Sequence, residues 1–281
     1  MKIGRAWSFI IIIVVYILAG LVGFSVYWYA PFDAWLRLLL ADVSATAVTF
    51  LFSVIFRNAS VYDPYWSIQP IAIAVGYFAV VPLSLPKFLL LAAIVLWGVR
   101  LTANWAYTFR GMEHQDWRYT MLKEKTGAFY PVINFVGIHM VPTMVVYGCV
   151  LPAAYVMQEN PGGNVFTYLC FALSLGAVLL QGVADVEMHK YRKDRKTPFI
   201  RAGVWKYSRH PNYLAEILMW WSVALYAVSA LGFRWYFLVG AAANTLLFLL
   251  VSIPMADGRQ SRKEGFAEYK KQTRMLFPII K

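Results

Sequence analysis

The sequence predicts an all-α membrane protein, a polytopic bundle of about eight transmembrane helices with both termini on the cytoplasmic side. Three observations carry this. Hydrophobic residues make up 60% of the 281 and charged residues only 14%, a balance that belongs to membrane chains rather than soluble ones. Several separate apolar runs reach the ~20 residues that a helix needs to cross a hydrocarbon core. The cations, finally, gather on one side of the threading those runs imply.

In order, the runs lie at about 6 to 30, 35 to 56, 66 to 84, 87 to 109, 132 to 157, 164 to 189, 211 to 230 and 235 to 255. The first follows Lys2 and Arg5 and so resembles a secretory signal, but it lacks a small-residue cleavage site and exceeds a signal core in length. It reads as a retained helix. Pro211 suits the first turn of a helix, where its missing N–H costs nothing, and so fixes the start of the seventh run near His210. ENPGGN at 159 to 164 is a plain turn. The chain reads as one integral membrane domain over 1 to 281, its first 56 residues forming N-terminal helices ahead of a core over 57 to 281.

Of the 26 Lys and Arg, only Arg37, Lys87 and Arg234 fall on one side of an eight-helix threading, and Arg100 lies within a helix. The remainder fall on the opposite side, as the positive-inside rule expects of a cytoplasmic face. The net charge of +12 therefore points to orientation and anionic lipid contact, not to nucleic acid. The expected partners are membrane lipids and a lipophilic small molecule; the oligomeric state is not predicted.

Three segments on the basic side hold most of the polar chemistry: 110 to 127, 190 to 212 and 257 to 278. No GxGxxG or GxxxxGK[ST] pattern is present, which excludes a Rossmann or P-loop nucleotide site. His114, His139, His189 and His210 stand singly, so no metal centre is expected. Cys149 and Cys170 sit inside apolar runs as packing residues.

The stretch KYSRHPNYLAE, 206 to 216, places Arg209 and the open N–H groups of a helix start together, a ready anion site at the membrane surface. Asn212 and Glu216 are four apart and share one face, with Glu216 a turn deeper. A carboxylate in a membrane helix is costly and points to function. In the preceding run, Asp185, His189 and Arg192 form one stripe, in which Asp185 can orient Arg192 toward a phosphate; Glu187 points elsewhere. The plainer reading of these residues is interfacial snorkelling and an intrahelical ion pair.

SRHPNYLAE, the upstream QGxADxExHxYR, GVRLTANW with a following QDWRY, and AEYKKQTRMLFP together resemble the steroid 5-alpha-reductase superfamily, and most of all its bacterial membrane branch defined by a domain of unknown function (DUF1295). The resemblance covers about residues 55 to 281. It implies a helix bundle that encloses NADPH from the cytoplasmic side, in a bacterial plasma membrane, and reduces a carbon–carbon double bond conjugated to a carbonyl. Asn212 and Glu216 match the positions holding the nicotinamide end; Asp185 and Arg192 match those near the adenosine and phosphates. Arg100 and Arg110 match arginines of the pyrophosphate region. Asn104, Arg118, His189, Arg209, His210 and Arg259 complete the implied cofactor set.

The sequence departs from that pattern where Trp97 stands at a tyrosine position and where the Gln-Glu pair for a substrate ketone is replaced by the polar cluster RNASVYDPYWSIQP, 57 to 70. Asp63 is the expected replacement acid, since partial burial raises a carboxyl pKa toward protonation. Tyr62 and Tyr107 are the alternatives; the plainer role for Asp63 is to cap the helix at Pro64. A second class shares the RHPNY start and the glutamate after it, the isoprenylcysteine-type methyltransferases that use S-adenosylmethionine. A third, a non-catalytic lipid-binding protein, leaves Asp185, Asn212 and Glu216 without a purpose.

Overall fold

The computed structural model describes residues 4–79, 82, 84–159 and 161–277. Among them there is no strand; one isolated parallel bridge joins Ser208 and Arg274. Helices dominate because a chain in hydrocarbon must satisfy its backbone groups internally.

The helices are α1 (Arg5–Tyr29), α2 (Ala34–Ile55), α3 (Tyr65–Ala79), α4 (Leu85–Thr108), α5 (Trp117–Thr126), α6 (Tyr130–Val132), α7 (Val141–Glu159), α8 (Val165–Asp194), α9 (Pro211–Leu231), α10 (Val239–Leu247), α11 (Ile253–Gln260) and α12 (Phe266–Gln272). A π-helical segment, Ile133–Met140, joins α6 to α7, and a shorter one, Phe248–Ser252, joins α10 to α11. Seven stretches of the described residues are long and apolar enough to cross a membrane. The third expected span, 66 to 84, is not among them; it corresponds to α3, whose 15 residues reach only about 22 Å at 1.5 Å per residue. Residues 80, 81 and 83 of that run lie outside the described residues. The apolar run expected from 132 belongs to a continuous helical stretch that begins at Trp117.

Two compact units share the chain. Unit 1 comprises Met1–Gly76 and Leu101–Tyr147; unit 2 comprises Tyr77–Arg100 and Gly148–Lys281. In unit 1, α1 buries Ser8, Ile12, Val15, Ala19 and Gly23, one face at helical spacing, and exposes Ile10, Ile13, Ile17, Leu21 and Phe24 as a lipid-facing side. Gly23 lets α2 approach: a Cβ there would stand 3.1 Å from the Ala41 carbonyl oxygen. In unit 2 the α7–α10 crossing is closer still, because a Cβ on Gly240 would fall 2.0 Å from the Gly148 carbonyl carbon.

Helix ends follow local chemistry. Asn164 and Thr167 form a reciprocal capping box at the start of α8. Pro211 occupies the first turn of α9, as its fixed φ favours, and Gly232 ends that helix at φ 84°. The Pro211 start was legible in the sequence, and α8 and α9 are, with α4, the helices that carry the polar site of unit 2.

Candidate functional site

In unit 2, three helices bring polar residues together in two layers, one helical turn apart. The deeper layer centres on Glu216 of α9, which is only 4% exposed. Its carboxylate accepts from Trp97 Nε1 of α4 at 2.9 Å, from Gln181 Nε2 of α8 at 2.6 Å and from Trp220 Nε1 at 2.9 Å. The Trp97 and Trp220 rings meet edge to face at 4.8 Å. The three donors satisfy both carboxyl oxygens, which burial would otherwise leave unpaired. The tryptophan at the expected tyrosine position is therefore a donor to Glu216.

The outer layer holds Arg100 of α4, whose Nη1 lies 2.5 Å from Asp185 Oδ2 of α8, both side chains being less than one-fifth exposed. The sequence reading had Asp185 orienting Arg192; the structure gives its ion pair to Arg100, because α4 brings that guanidinium to the buried side of α8. His189 and Arg192 lie near enough to act electrostatically on the Asp185 carboxylate, and Arg192 is exposed. Glu187 does point elsewhere, accepting from the Val204 N–H at 3.0 Å. That contact holds the turn at Gly203, whose φ of 59° suits only glycine.

Three buried polar atoms of these layers have no partner among the described residues: Arg100 Nε, Gln181 Oε1 and Asn212 Oδ1. Each carries the cost of an unmade hydrogen bond unless something outside the chain supplies one.

The start of α9 is anchored from the C-terminal segment. Asp257 of α11 accepts from His210 Nε2 at 2.9 Å and from Arg209 Nη2 at 3.1 Å. Arg209 Nη1 also donates to the Thr273 carbonyl at 2.7 Å, and Tyr269 donates its hydroxyl to the Trp205 carbonyl. Asp257 and the C-terminal segment thus engage Arg209 through its two terminal nitrogens and His210 through Nε2, while Arg209 Nε has no partner among the described residues. Arg259 lies exposed beyond Asp257.

Unit 1 holds the remaining predicted residues. Asp63 is half-buried and accepts from Tyr119 Oη at 2.6 Å. Burial raises its carboxyl from 3.8 to about 6, with the Arg118 guanidinium and the Tyr119 hydroxyl acting the other way. At the start of the helix after Pro64 the Ser67 N–H bonds the Pro64 carbonyl at 3.3 Å. Tyr62 is buried and shares a hydrogen bond of 2.8 Å with Thr143 Oγ1. Arg118 pairs with Asp116 at 2.8 Å. Arg110 and Tyr107 are exposed, and Asn104 is half-buried on α4.

Residues the sequence reading passed over also belong here. Asp42 of α2, 4% exposed, accepts from Tyr65 Oη at 3.0 Å and from Gln69 Nε2 at 2.7 Å. It heads a buried stripe of Asp42, Thr46, Thr49 and Ser53 at helical spacing. A lone carboxylate inside an apolar run was the available signal. Gln181 was equally readable, one turn before Asp185 in the same stripe. Among the described residues, no three His, Cys, Asp or Glu side chains are grouped to hold a metal ion.

A family model described as "Protein of unknown function (DUF1295)" matches residues 49–273. The chain belongs to that family. The match takes in α3 through α12 and every residue of both layers in unit 2. The chain is also similar to "Uncharacterized protein C594.04c" of Schizosaccharomyces pombe (strain 972 / ATCC 24843), 24% identical over 240 residues, which cover 75% of this chain and 69% of the yeast protein. No solved structure matches.

Proposed function

We propose that the protein is an NADPH-dependent membrane reductase of the steroid 5-alpha-reductase type, acting on a carbon–carbon double bond conjugated to a carbonyl in a lipophilic, steroid- or isoprenoid-like molecule. The observation that carries this is the set of partnerless atoms in the two polar layers of unit 2. Gln181 Oε1 and Asn212 Oδ1 are acceptors and Arg100 Nε is a donor, a mixture that fits a carboxamide and its neighbouring phosphates. Bound there, the cofactor supplies the hydride.

The chain's own residues do the rest. Glu216, saturated by three protein donors, fixes Trp97, Gln181 and Trp220 in one arrangement and so holds Gln181 Oε1 in place. The Arg100–Asp185 pair fixes the guanidinium while leaving Nε to donate. Arg192, exposed at the outer end of the stripe, is placed to meet a phosphate with its planar fork. In unit 1, Asp63, whose raised pKa lets it hold a proton toward neutrality, is the proposed proton donor, with Tyr62 and Tyr107 as the alternatives. The reading sets the protein in a bacterial plasma membrane with both termini and the cofactor site toward the cytoplasm.

A second reading, a methyltransferase using S-adenosylmethionine, is favoured by the Trp97–Trp220–Glu216 group, since indole rings and a carboxylate suit a sulfonium cation. One experiment separates the two. Protein purified in detergent is melted with NADPH, NADH or S-adenosylmethionine, each at 100 times its dissociation constant, which adds about 2.7 kcal/mol if only the folded state binds. Stabilisation by NADPH, weakened by Arg192→Ala more than stabilisation by NADH is, supports the reductase. Stabilisation by S-adenosylmethionine alone transfers the argument to the methyltransferase.

A further inference from the structure

Unit 1 contains a second set of partnerless buried atoms: Arg37 Nε and Tyr130 Oη on half-buried residues, and, on its buried residues, the three acceptors Gln69 Oε1, Asn134 Oδ1 and His139 Nε2. His139 is fully buried. Its Nδ1 lies 2.9 Å from the Asn134 carbonyl oxygen; a carbonyl only accepts, so Nδ1 carries the proton. The ring is neutral in these surroundings, since an isolated buried charge is costly. Nε2 therefore presents a lone pair.

The local backbone is unusual in the same place. Asn134 and His139 both lie in the π-helical segment Ile133–Met140, a geometry that recurs at functional sites because the widened turn re-aims side chains. Around His139 stand the rings of Phe50 at 5.5 Å and Tyr62 at 4.7 Å, with Phe135 against Phe50 at 4.8 Å. The Tyr62 hydroxyl is engaged with Thr143, which also meets Thr46 at 3.0 Å. The Gln69 and Asn134 amide nitrogens are engaged with Asp42 and Ser53. The side-chain donors nearby are thus committed, while the acceptors are in surplus.

From this we infer that unit 1 binds a neutral, otherwise apolar molecule that carries a hydroxyl, with the O–H donated to His139 Nε2 and the apolar body among the rings of Phe50, Tyr62 and Phe135. The aromatic surroundings and the position within a membrane-spanning stretch select an apolar body; the acceptor surplus selects a donor. A carbonyl or ether oxygen would meet lone pairs only. The inference does not depend on the cofactor reading of unit 2, and its test uses no cofactor.

The test takes protein labelled with ¹⁵N-histidine in a detergent without hydroxyl groups, and adds 1-dodecanol or its methyl ether, which differ in the donor alone. The His139 signals are identified by their loss in His139→Phe. Dodecanol should move the His139 Nε2 resonance in the direction of an accepted hydrogen bond, and the ether should not. Dodecanol should also raise the melting temperature of the parent above that with the ether, a difference absent from His139→Phe. Equal effects of alcohol and ether overturn the inference. So does an Nε2 resonance already in the hydrogen-bonded position before alcohol is added and unmoved by it, which would assign the site to a trapped water.

Discussion

Trp97 of α4 and Glu216 of α9 are joined by an indole N–H to carboxylate hydrogen bond of 2.9 Å, both side chains being buried. Trp97→Phe keeps an aromatic ring but removes the donor. Hydrogen bonds to charged groups contribute about 1.5–3 kcal/mol, and the melting curve should show a loss in that range. Glu216→Gln should lose a similar amount, because its NH₂ replaces one carboxyl oxygen and meets the donors facing that position without accepting from them. If both variants bind NADPH and melt like the parent, the deeper layer has no functional role.

Asp257→Asn should release the C-terminal segment. The carboxylate holds His210 and Arg209 at 2.9 and 3.1 Å, and removing its charge leaves a buried guanidinium with one anionic partner fewer. Trypsin should then cut at Lys270, Lys271 or Arg274 at lower concentration than in the parent. Unchanged cleavage would mean that the aromatic group of Phe199, Phe266 and Tyr269 holds the segment unaided.

Asp63 sets a pH dependence with a definite sign. Its folded-state pKa is raised from 3.8 to about 6, so the folded state binds the proton more tightly than the unfolded one. The resulting stability is fully present below about 3.8 and is lost as pH rises through about 6. Asp63→Asn should therefore gain stability relative to the parent as pH is raised across that window, read as the difference of two melting-temperature profiles. A flat difference profile would contradict the raised pKa.

The Gly148–Gly240 approach makes Gly240→Ala costly. A methyl at 2.0 Å from the Gly148 carbonyl carbon cannot be accommodated without moving α10 from α7, and overpacking of this kind costs typically about 1–3 kcal/mol. Gly162→Ala, where nothing stands within 4 Å of the added carbon, should melt like the parent and serves as the control.

Orientation is tested by a single cysteine at Gly162, an exposed turn residue, in a variant with Cys149 and Cys170 replaced by Ala. A membrane-impermeant thiol reagent should label it in intact cells if both termini are cytoplasmic. Labelling only after permeabilisation would reverse the orientation.

The sequence by itself determined what depends on composition and neighbours along the chain. Apolar runs of sufficient length become helices in hydrocarbon whatever packs around them, so the all-helical membrane fold was legible, as were the α9 start at Pro211 and the stripe through Asp185, His189 and Arg192. Residues near in sequence share a helix face by geometry alone. What touches that face was decided only by the tertiary structure. The partner of Asp185 proved to be Arg100, 85 positions away, and Glu216 is held by Trp97, 119 positions away. Asp257 closes on His210 across 47 positions. Such pairs depend on how helices cross, and no periodicity in one run specifies the register of another. For the same reason Asp42 and His139, the one carboxylate and the one imidazole of their runs, gained meaning only when folding set Gln69 and Tyr65 against the first and Phe50 and Tyr62 against the second.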